Sequence, residues 1–290
     1  MSNFTDFIGG GGSASQINEV VFLNNRADTV TLADGRVYLK GGVIETNQAT
    51  YPNAYVGFNY LGTNFSVASQ TADPTGITWD GTHFWVISES SRIVYKYTAA
   101  GVYTGTSFSA AAEDSTASDI TWDGTNFWVL GRGNDAVYKY NSSGVYQNVS
   151  FSVLAQENIP TGITWDGTHF WVVGLTNDTV YKYNSSGVYQ NVSFSVAAQE
   201  PNPYGITWDG THFWVVGTNT DAVHKYTSAG VYTGTSFSVS AQETLPSSIN
   251  WDGTNFWVIG FGYDTAYKYG DAIGITSDTS FGAQNYMRVA

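Results

Sequence analysis

The stretch "GITWDGTHFWVVG" occupies residues 162–174, and the same thirteen residues return unchanged at 205–217. Near-copies occur three more times, with the first Trp of each copy 43 residues after the last, at Trp79, Trp122, Trp165, Trp208 and Trp251. A repeat of this length is typical of propellers and other repeat arrays. One repeat therefore represents the structure of all five.

Each repeat predicts four β-strands. In the third repeat, Ile163 and Trp165 alternate with polar residues, and an apolar period of two indicates a strand. Three more stretches of that repeat are rich in β-branched and aromatic residues, namely 170–173, 180–183 and 188–196. Turns are predicted at Asp166-Gly167 and at the "NSSG" of 184–187. We name the four strands a, b, c and d in chain order.

Four antiparallel strands in each 43-residue repeat predict an all-β fold, a five-bladed β-propeller. A linear β-solenoid is the alternative, although it normally uses shorter repeats. A d-like stretch at 60–67 precedes the first a strand, whereas "DAIGITSDTSFG" after the last c strand fits the d pattern poorly. We therefore expect 60–67 to form the outer strand of the fifth blade. Whether 270–290 completes a blade or packs elsewhere is left open.

Three segments are expected along the chain. Residues 1–15 are Gly-rich and predict a flexible docking tail, and 16–54 predict a small β attachment segment with a turn at Asp34-Gly35. Residues 55–290 form the propeller, closed by the strand at 60–67. For the region before the propeller, a frayed end with a β-cap and an anchoring module that orders on docking are both open.

Composition argues against several classes of protein. Acidic residues number 24 against 11 basic ones, giving a formal net charge of −13, which disfavours nucleic acid as a partner. No apolar run approaches the roughly 18 residues of a membrane helix, so no membrane insertion is expected. The absence of cysteine excludes disulfides and thiolate metal sites. The start "MSNFTDFIGGGG" lacks the pattern of a secretion signal, so we expect no export by that route.

The sequence also predicts a protein that is not an enzyme, with no cofactor and no metal site. The Asp of each "WDGT" occupies one turn in every repeat, whereas glycoside hydrolysis needs two carboxylates in different environments. Histidines recur at the strand position that Asn takes in the other repeats, which suits a polar strand position better than a metal ligand set. A glycan hydrolase remains an alternative, and its acids would come from Glu89, Asp114 and Glu157.

Two connections differ in every repeat, unlike the constant turns. The b-to-c connections are 88–92, 131–135, 174–178, 217–221 and 260–264, and the d-to-a connections begin near 70, 113, 156, 199 and 242. In an up-and-down blade both connections lie on the same face, and loops on a rigid scaffold commonly carry recognition residues. The predicted ligand contacts are Glu89, Arg132, Asn134, Asn177, Tyr204, Asn219 and Tyr263.

Two resemblances bear on function. The stretch "TLADGRVYLKGGVIETNQATYPNAY" at 31–55 and the ending "NYMRVA" resemble parts of bacteriophage tail or fibre proteins, which join a virion-attachment segment to a distal recognition domain. The five "WDGTxFWV" repeats resemble five-bladed propeller lectins of the tachylectin-2 type, which bind amino sugars. This second resemblance rests on blade number and aromatic content, without a match to the binding motif.

The resemblances imply a virion appendage or fibre protein, assembled in the cytoplasm of a bacterial host, whose propeller binds a host-surface glycan. Its N-terminal segment would dock on other virion proteins, and a homotrimer is common among such fibres. Several weak sites on one disc, multiplied by the copies on a particle, would act together through avidity. The alternative is a head or tail decoration protein that binds no sugar. The sequence does not identify the glycan, the host or the place in the virion.

Overall fold

The computed structural model describes residues 29–31, 37–39, 43–45 and 54–275, with side chains described for 58–270. The chain divides into two units. In the first, the short strands β1 (Thr29–Thr31), β2 (Val37–Leu39) and β3 (Val43–Glu45) form an antiparallel sheet in the order β1-β2-β3. The tail at 1–15, the turn at Asp34-Gly35 and residues 276–290 lie outside the described residues. The division at 15/16 and 54/55 stays a prediction.

The second unit, residues 58–270, contains five sheets of four antiparallel strands, which confirms the predicted five-bladed propeller. The strands of blades 1 to 4 are β5 (Pro74–Trp79), β6 (His83–Ser88), β7 (Ile93–Thr98), β8 (Tyr103–Ser109), β9 (Ala117–Trp122), β10 (Asn126–Gly131), β11 (Ala136–Asn141), β12 (Tyr146–Ser152), β13 (Pro160–Trp165), β14 (His169–Gly174), β15 (Thr179–Asn184), β16 (Tyr189–Ser195), β17 (Pro203–Trp208), β18 (His212–Gly217), β19 (Ala222–Thr227) and β20 (Tyr232–Ser238). The described segments contain no helix that could cross a membrane.

The fifth blade combines the last three strands of the propeller with a strand that precedes its first blade. Its strands are β21 (Pro246–Trp251), β22 (Phe256–Gly260), β23 (Thr265–Ile275) and, on the outside, β4 (Ala54–Ser66). Beyond β4, the backbone N–H of Val67 donates to the carbonyl of Asp264 at 2.8 Å. An early segment of the chain therefore supplies the outer strand of the last blade. This strand begins at Ala54, upstream of the predicted start at 60.

Aromatic side chains of strand b join each blade to the next. Trp85 of blade 1 packs on Phe127 of blade 2 with ring centroids 4.6 Å apart, and both are almost fully buried. Trp257 of blade 5 makes the same contact with Phe84 of blade 1 at 4.7 Å, so the ring is closed by the contact that joins its other blades. Burial of large apolar side chains contributes about 2 to 3 kcal/mol each, and here the contribution is repeated around the ring.

Strand a of each blade contacts strand a of its neighbours around the axis of the ring. The third residue of this strand is Gly in blades 1, 3 and 4, where the backbones approach closely. A Cβ on Gly205 would lie 2.7 Å from the Cα of Ser248 in blade 5. Only a residue without a side chain fits at Gly205.

The other two blades carry Asp119 and Ser248 at this third position, and the two side chains meet. The Ser248 hydroxyl donates to Oδ1 of Asp119 at 3.0 Å, and the backbone N–H of Ile163 donates to Oδ2 at 2.9 Å. Asp119 is 1% exposed, and this burial raises the pKa of its carboxyl well above the ordinary value. One carboxyl group therefore connects blades 2, 3 and 5 near the axis.

Candidate functional site

The face formed by the "WDGT" turns is named the constant-turn face. In blade 4, Oδ1 of Asp209 accepts hydrogen bonds from the N–H groups of Thr211 and His212 at 2.7 Å, and Oδ2 accepts one from the indole N–H of Trp214 at 2.7 Å. Burial alone would raise the pKa of Asp209, but these hydrogen bonds outweigh it and the pKa is lowered. The Asp of every other blade binds the strand-b Trp in the same way. These carboxylates hold the hairpins.

Histidines lie beside three of these carboxylates. The Nδ1 atoms of His83, His169 and His212 are 3.7 to 4.0 Å from the Asp of their own turn. In blade 2 the amide of Asn126 takes this place and donates to Asp123 at 3.4 Å. Among the described residues, no three acidic, His or Cys side chains converge as a metal site would require.

The opposite face is named the varying-loop face, and a buried carboxylate ties its two connections together. In blade 4, Oε1 of Glu200 accepts from the N–H groups of Asn202 and Asn219, both at 3.1 Å, and Oε2 accepts from the N–H of Thr220 at 3.1 Å. Asn202 belongs to the d-to-a connection, whereas Asn219 and Thr220 belong to the b-to-c connection. A single side chain therefore fixes both loops.

Asp114 and Glu157, two of the acids of the hydrolase alternative, have this same loop-fixing role. They are 4% and 1% exposed. Asp114 accepts from the N–H groups of Gly133 and Asn134 at 2.9 and 3.0 Å. Both carboxylates hold loops from below and do not face a substrate on the surface.

The glycine that ends strand b makes room for this acid. A Cβ on Gly174 would lie 2.3 Å from the Cγ of Glu157. Blade 1 carries Ser88 at this position, and Thr71 stands where the other blades have the acid. Asp73 replaces the acid there and accepts a hydrogen bond from the Ser88 hydroxyl at 2.6 Å. The position of the acid and the residue that ends strand b therefore both differ between blade 1 and the other blades.

The first residue after strand b occupies an equivalent backbone position in each blade. Its N–H donates to the carbonyl of the residue just before strand a, at 2.8 to 3.2 Å in all five blades. Because the a strands surround the axis, these residues form a ring on the varying-loop face. We name this ring the rim, and its members are Glu89, Arg132, Leu175, Thr218 and Phe261.

The rim has a polar side and an apolar side. In blades 1 and 2, the Arg132 guanidinium pairs with the Glu89 carboxylate. Across the ring, Tyr204 of blade 4 packs edge-on against Phe261 with ring centroids 6.1 Å apart. The residues before strand a add exposed apolar surface, with Ile159 39% and Leu245 46% exposed. The apolar side extends over blades 3 to 5.

The other predicted contacts lie further along the b-to-c connections. The Asn134 amide donates to the Glu113 carbonyl at 3.0 Å and to the Tyr138 hydroxyl at 3.1 Å. The Asn177 amide donates to a strand-c tyrosine hydroxyl at 3.3 Å. Asn219 uses its backbone N–H to bind Glu200, and Tyr263 is 56% exposed. Glu89 and Arg132 are therefore members of the rim, Tyr204 packs against the rim residue Phe261, and these four lie outside it.

Sequence reasoning missed the apolar rim residues Leu175 and Phe261 because it selected polar and Tyr side chains. Aligning the five b-to-c connections places Glu89, Arg132, Leu175, Thr218 and Phe261 in one column, and that column is the signal that could have found them.

Comparisons with known proteins identify the fold. No protein-family model and no curated protein matches the chain. Among solved structures, glutaminyl cyclase from Myxococcus xanthus is similar over 77% of this chain and 100% of its own, with a TM-score of 0.58 and 10% identity. Virginiamycin B lyase from Staphylococcus aureus covers 84% of this chain and 80% of its own at 17% identity and a TM-score of 0.46. Aldose sugar dehydrogenase from Streptomyces coelicolor covers 74% and 98% at 9% identity and a TM-score of 0.49.

These comparisons overturn one expectation. The sequence analysis predicted a protein that is not an enzyme, and that prediction is wrong, because glutaminyl cyclase, which shares the propeller fold, is an enzyme. At such identities the likeness extends to the fold alone and indicates no reaction for this chain. None of the three is a phage protein or a lectin, so those resemblances stay proposals.

Proposed function

We propose that the protein is a phage virion appendage or fibre protein whose propeller binds a host-surface glycan at the rim. The observation that carries this proposal is the contrast between backbone and side chains at the rim. One hydrogen bond repeats in all five blades, yet the five side chains are acidic, basic, aliphatic, hydroxyl-bearing and aromatic. A fixed framework with changing side chains is the arrangement that recognition sites commonly use.

The chemistry of the rim suits a saccharide. A sugar ring offers an apolar C–H surface that packs on aromatic side chains, and hydroxyl groups that bind charged side chains. Tyr204 and Phe261 supply adjacent aromatic rings, while Glu89 and Arg132 supply an acceptor and a donor on the other side. Polar groups placed around apolar surface are typical of small-ligand sites.

Because the five rim residues differ, the rim forms one asymmetric site per propeller. This arrangement departs from lectins with sites repeated around the ring. Avidity would then come from the number of copies on a particle, each contributing one weak site. The N-terminal segment would attach those copies to other virion proteins.

The test is a glycan array probed with the full chain and with a double variant, Tyr204→Thr with Phe261→Thr. Threonine already stands at the corresponding positions of other blades, as Thr161 and Thr218, so the framework accepts it. We expect a defined glycan class to bind and the double variant to lose about tenfold or more in affinity. His83→Asn, which copies Asn126 on the constant-turn face, is the control and should bind as the native chain does. Unchanged binding by the rim variant would exclude the rim.

A decoration protein is the second candidate, and one observation favours it. Exposed valines recur at the turn between strands c and d, with exposed fractions of 57 to 62%, at Val102, Val145, Val188 and Val231. Repeated apolar side chains at the surface suit packing against another virion protein. No binding to any glycan by chain or by assembled particle would favour this function.

A further inference from the structure

The interfaces between neighbouring blades do not distinguish one blade from another. The strand-b contact of Trp with Phe has ring centroids 4.6 to 4.7 Å apart at all five interfaces. The closing strand is equally unspecific, because "YLGTNFSV" at 60–67 differs at two positions from "YTGTSFSV" at 232–239, in the outer strand of blade 4. These contacts alone would therefore allow β4 to close the ring on the wrong blade.

A hydrogen bond across the axis does distinguish the blades. The hydroxyl of Thr161 in blade 3 donates to the Pro203 carbonyl of blade 4 at 2.8 Å, and this bond joins neighbours. The bond from Ser248 to Asp119 instead joins blades 5 and 2, which have blade 1 between them on one side and blades 3 and 4 on the other. Its two partners meet when the ring holds its five blades in chain order.

Equivalent backbone groups hold the two side chains at the axis. Asp119 accepts from the N–H of Ile163, and the Ser248 hydroxyl accepts from the N–H of Ile77 at 3.3 Å. In both pairs the donor is the fourth residue of strand a in the next blade. With both side chains fixed in this way, the hydroxyl of Ser248 is directed to the carboxyl of Asp119.

The a strands of the other blades offer no substitute for Ser248. Blades 1, 3 and 4 have glycine at this third position, and Asp119 is the single Asp, Glu, Lys, Arg or His residue in the five a strands. A Cβ on Gly76 would lie 2.5 Å from Oδ1 of Asp119, so a side chain there would collide with the carboxyl. The axis therefore accommodates this one pair.

We propose that Asp119 and Ser248 form a closure lock, a pair across the axis that stabilises the ring when its five blades are present in chain order. A buried carboxyl is costly without hydrogen-bond donors, and Asp119 is 1% exposed. A ring closed on blade 4, with β4 in place of β20, would bury Asp119 without the Ser248 hydroxyl. The lock thus selects the correct partner for β4, as single buried polar contacts fix register in coiled coils.

A disulfide can report closure directly, because the native chain has no cysteine. The register of blade 2, where Ala136 lies opposite Ser152, places Thr265 opposite Ser66 in blade 5, and the Ser66 hydroxyl is 3.5 Å from the Asp264 carbonyl. The reporter is the full chain with Ser66→Cys and Thr265→Cys, whose thiols are close enough to join within a correctly closed ring.

The experiment measures the share of chains that close correctly on refolding. The reporter is unfolded, refolded with its thiols reduced, and then oxidised. Free thiols are capped with a maleimide-PEG, and non-reducing gel electrophoresis separates chains with the intrachain disulfide from chains with free thiols or interchain disulfides. We expect nearly all chains of the reporter to carry the intrachain disulfide.

Variants in the reporter test the lock. Asp119→Gly with Ser248→Gly removes the lock and copies the glycine of blades 1, 3 and 4. We expect the share of chains without the intrachain disulfide to rise about fivefold to tenfold, the ratio that one lost buried hydrogen bond corresponds to. Ser248→Ala removes the hydroxyl alone and should raise that share too, which keeps the test decisive if the double variant does not refold.

The matched control is Thr161→Val, which removes a hydrogen bond between neighbouring blades. It should lower Tm and leave the share of correctly closed chains unchanged. The proposal is overturned if Ser248→Ala and the double variant close as completely as the reporter. It is also overturned if Thr161→Val raises the share of wrongly closed chains as much as they do, because a general loss of stability would then explain the effect.

Discussion

The two faces of each blade use carboxylates in different ways. On the constant-turn face, Asp209 accepts from donors within five residues of itself in the chain. On the varying-loop face, Glu200 accepts from donors up to 20 residues away. The first arrangement is complete within one hairpin, whereas the second requires two loops to meet. The comparison teaches that similar hydrogen bonding supports a rigid turn on one face and adjustable loops on the other.

The largest loss of stability is expected from removing the carboxylate that holds a turn on the constant-turn face. Asp209→Ala leaves the buried indole N–H of Trp214 and two backbone N–H groups without their acceptor. We expect a loss of about 3 kcal/mol in the free energy of unfolding, because unsatisfied buried donors each cost roughly 1 to 3 kcal/mol. Chemical denaturation measures it, with Asp209→Asn as the less disruptive control. A loss below about 1 kcal/mol would show that the turn does not depend on the carboxylate.

The stability that the Asp209 carboxylate contributes is expected to depend on pH. Because the folded-state pKa of Asp209 is lowered, its stabilising contribution is full above the unfolded value of 3.8 and is lost as pH falls through the folded value. The difference in stability between the native chain and Asp209→Ala should therefore shrink in strong acid. A difference that is constant from neutral pH to pH 2, about two units below the unfolded pKa, would contradict this.

The second-largest loss of stability is expected at the buried acid that joins the two loops of the varying-loop face. In Gly174→Ala, the new Cβ would meet Glu157 and also lie 2.6 Å from the Ile159 carbonyl. We expect a loss of about 2 kcal/mol, as for other overpacked buried sites. Moving the blade 1 arrangement into blade 3, with Gly174→Ser, Glu157→Thr and Ile159→Asp together, should recover most of it. Failure of this transfer, measured by thermal unfolding, would show that the acid and its neighbour are not coupled.

Local chemistry explains how far the sequence could be interpreted. The period of Trp79 and its copies predicted the blades, and the Asp-Gly turns predicted the hairpins, because both depend on neighbouring residues. The loop-fixing role of Glu157 was missed because one of its partners, the N–H of Thr176, belongs to another connection. Asp119 was missed for the same reason, since its partner Ser248 lies 129 residues away. At the rim, Phe261 was passed over because an apolar loop residue does not by itself signal recognition.

One substitution, Asp178→Asn, is expected to stabilise the protein slightly. Asp178→Asn removes one of the like charges beside Glu157, and asparagine tolerates the φ of 47° at this position. At neutral pH we expect a gain of about 0.5 kcal/mol in the free energy of unfolding, kept small because the side chain is partly exposed. The gain should vanish as pH falls to the unfolded pKa of 3.8, since the raised folded pKa of Asp178 penalises folding only above that value. A variant that is less stable than the native chain at neutral pH would contradict this prediction.

The smallest effect on stability is expected at the rim. Glu89→Thr with Arg132→Thr removes both partners of one partly exposed ion pair and copies the Thr218 of blade 4. The change in unfolding free energy should stay within about 0.5 kcal/mol, as for other surface pairs. A loss above about 2 kcal/mol would make the pair part of the framework instead of the recognition site.

The strand that closes the ring has a consequence for synthesis of the protein. Strand β4 emerges from the ribosome before any complete blade, whereas its partner β23 is made after every other described strand, and Ser66 and Asp264 are 198 residues apart. Contacts of such high sequence separation form slowly, because the intervening chain must first be ordered. Until β23 appears, β4 stays an unpaired edge that another chain could capture. The growing polypeptide therefore depends on fast completion, or on a chaperone, to avoid joining its neighbours on the same messenger RNA.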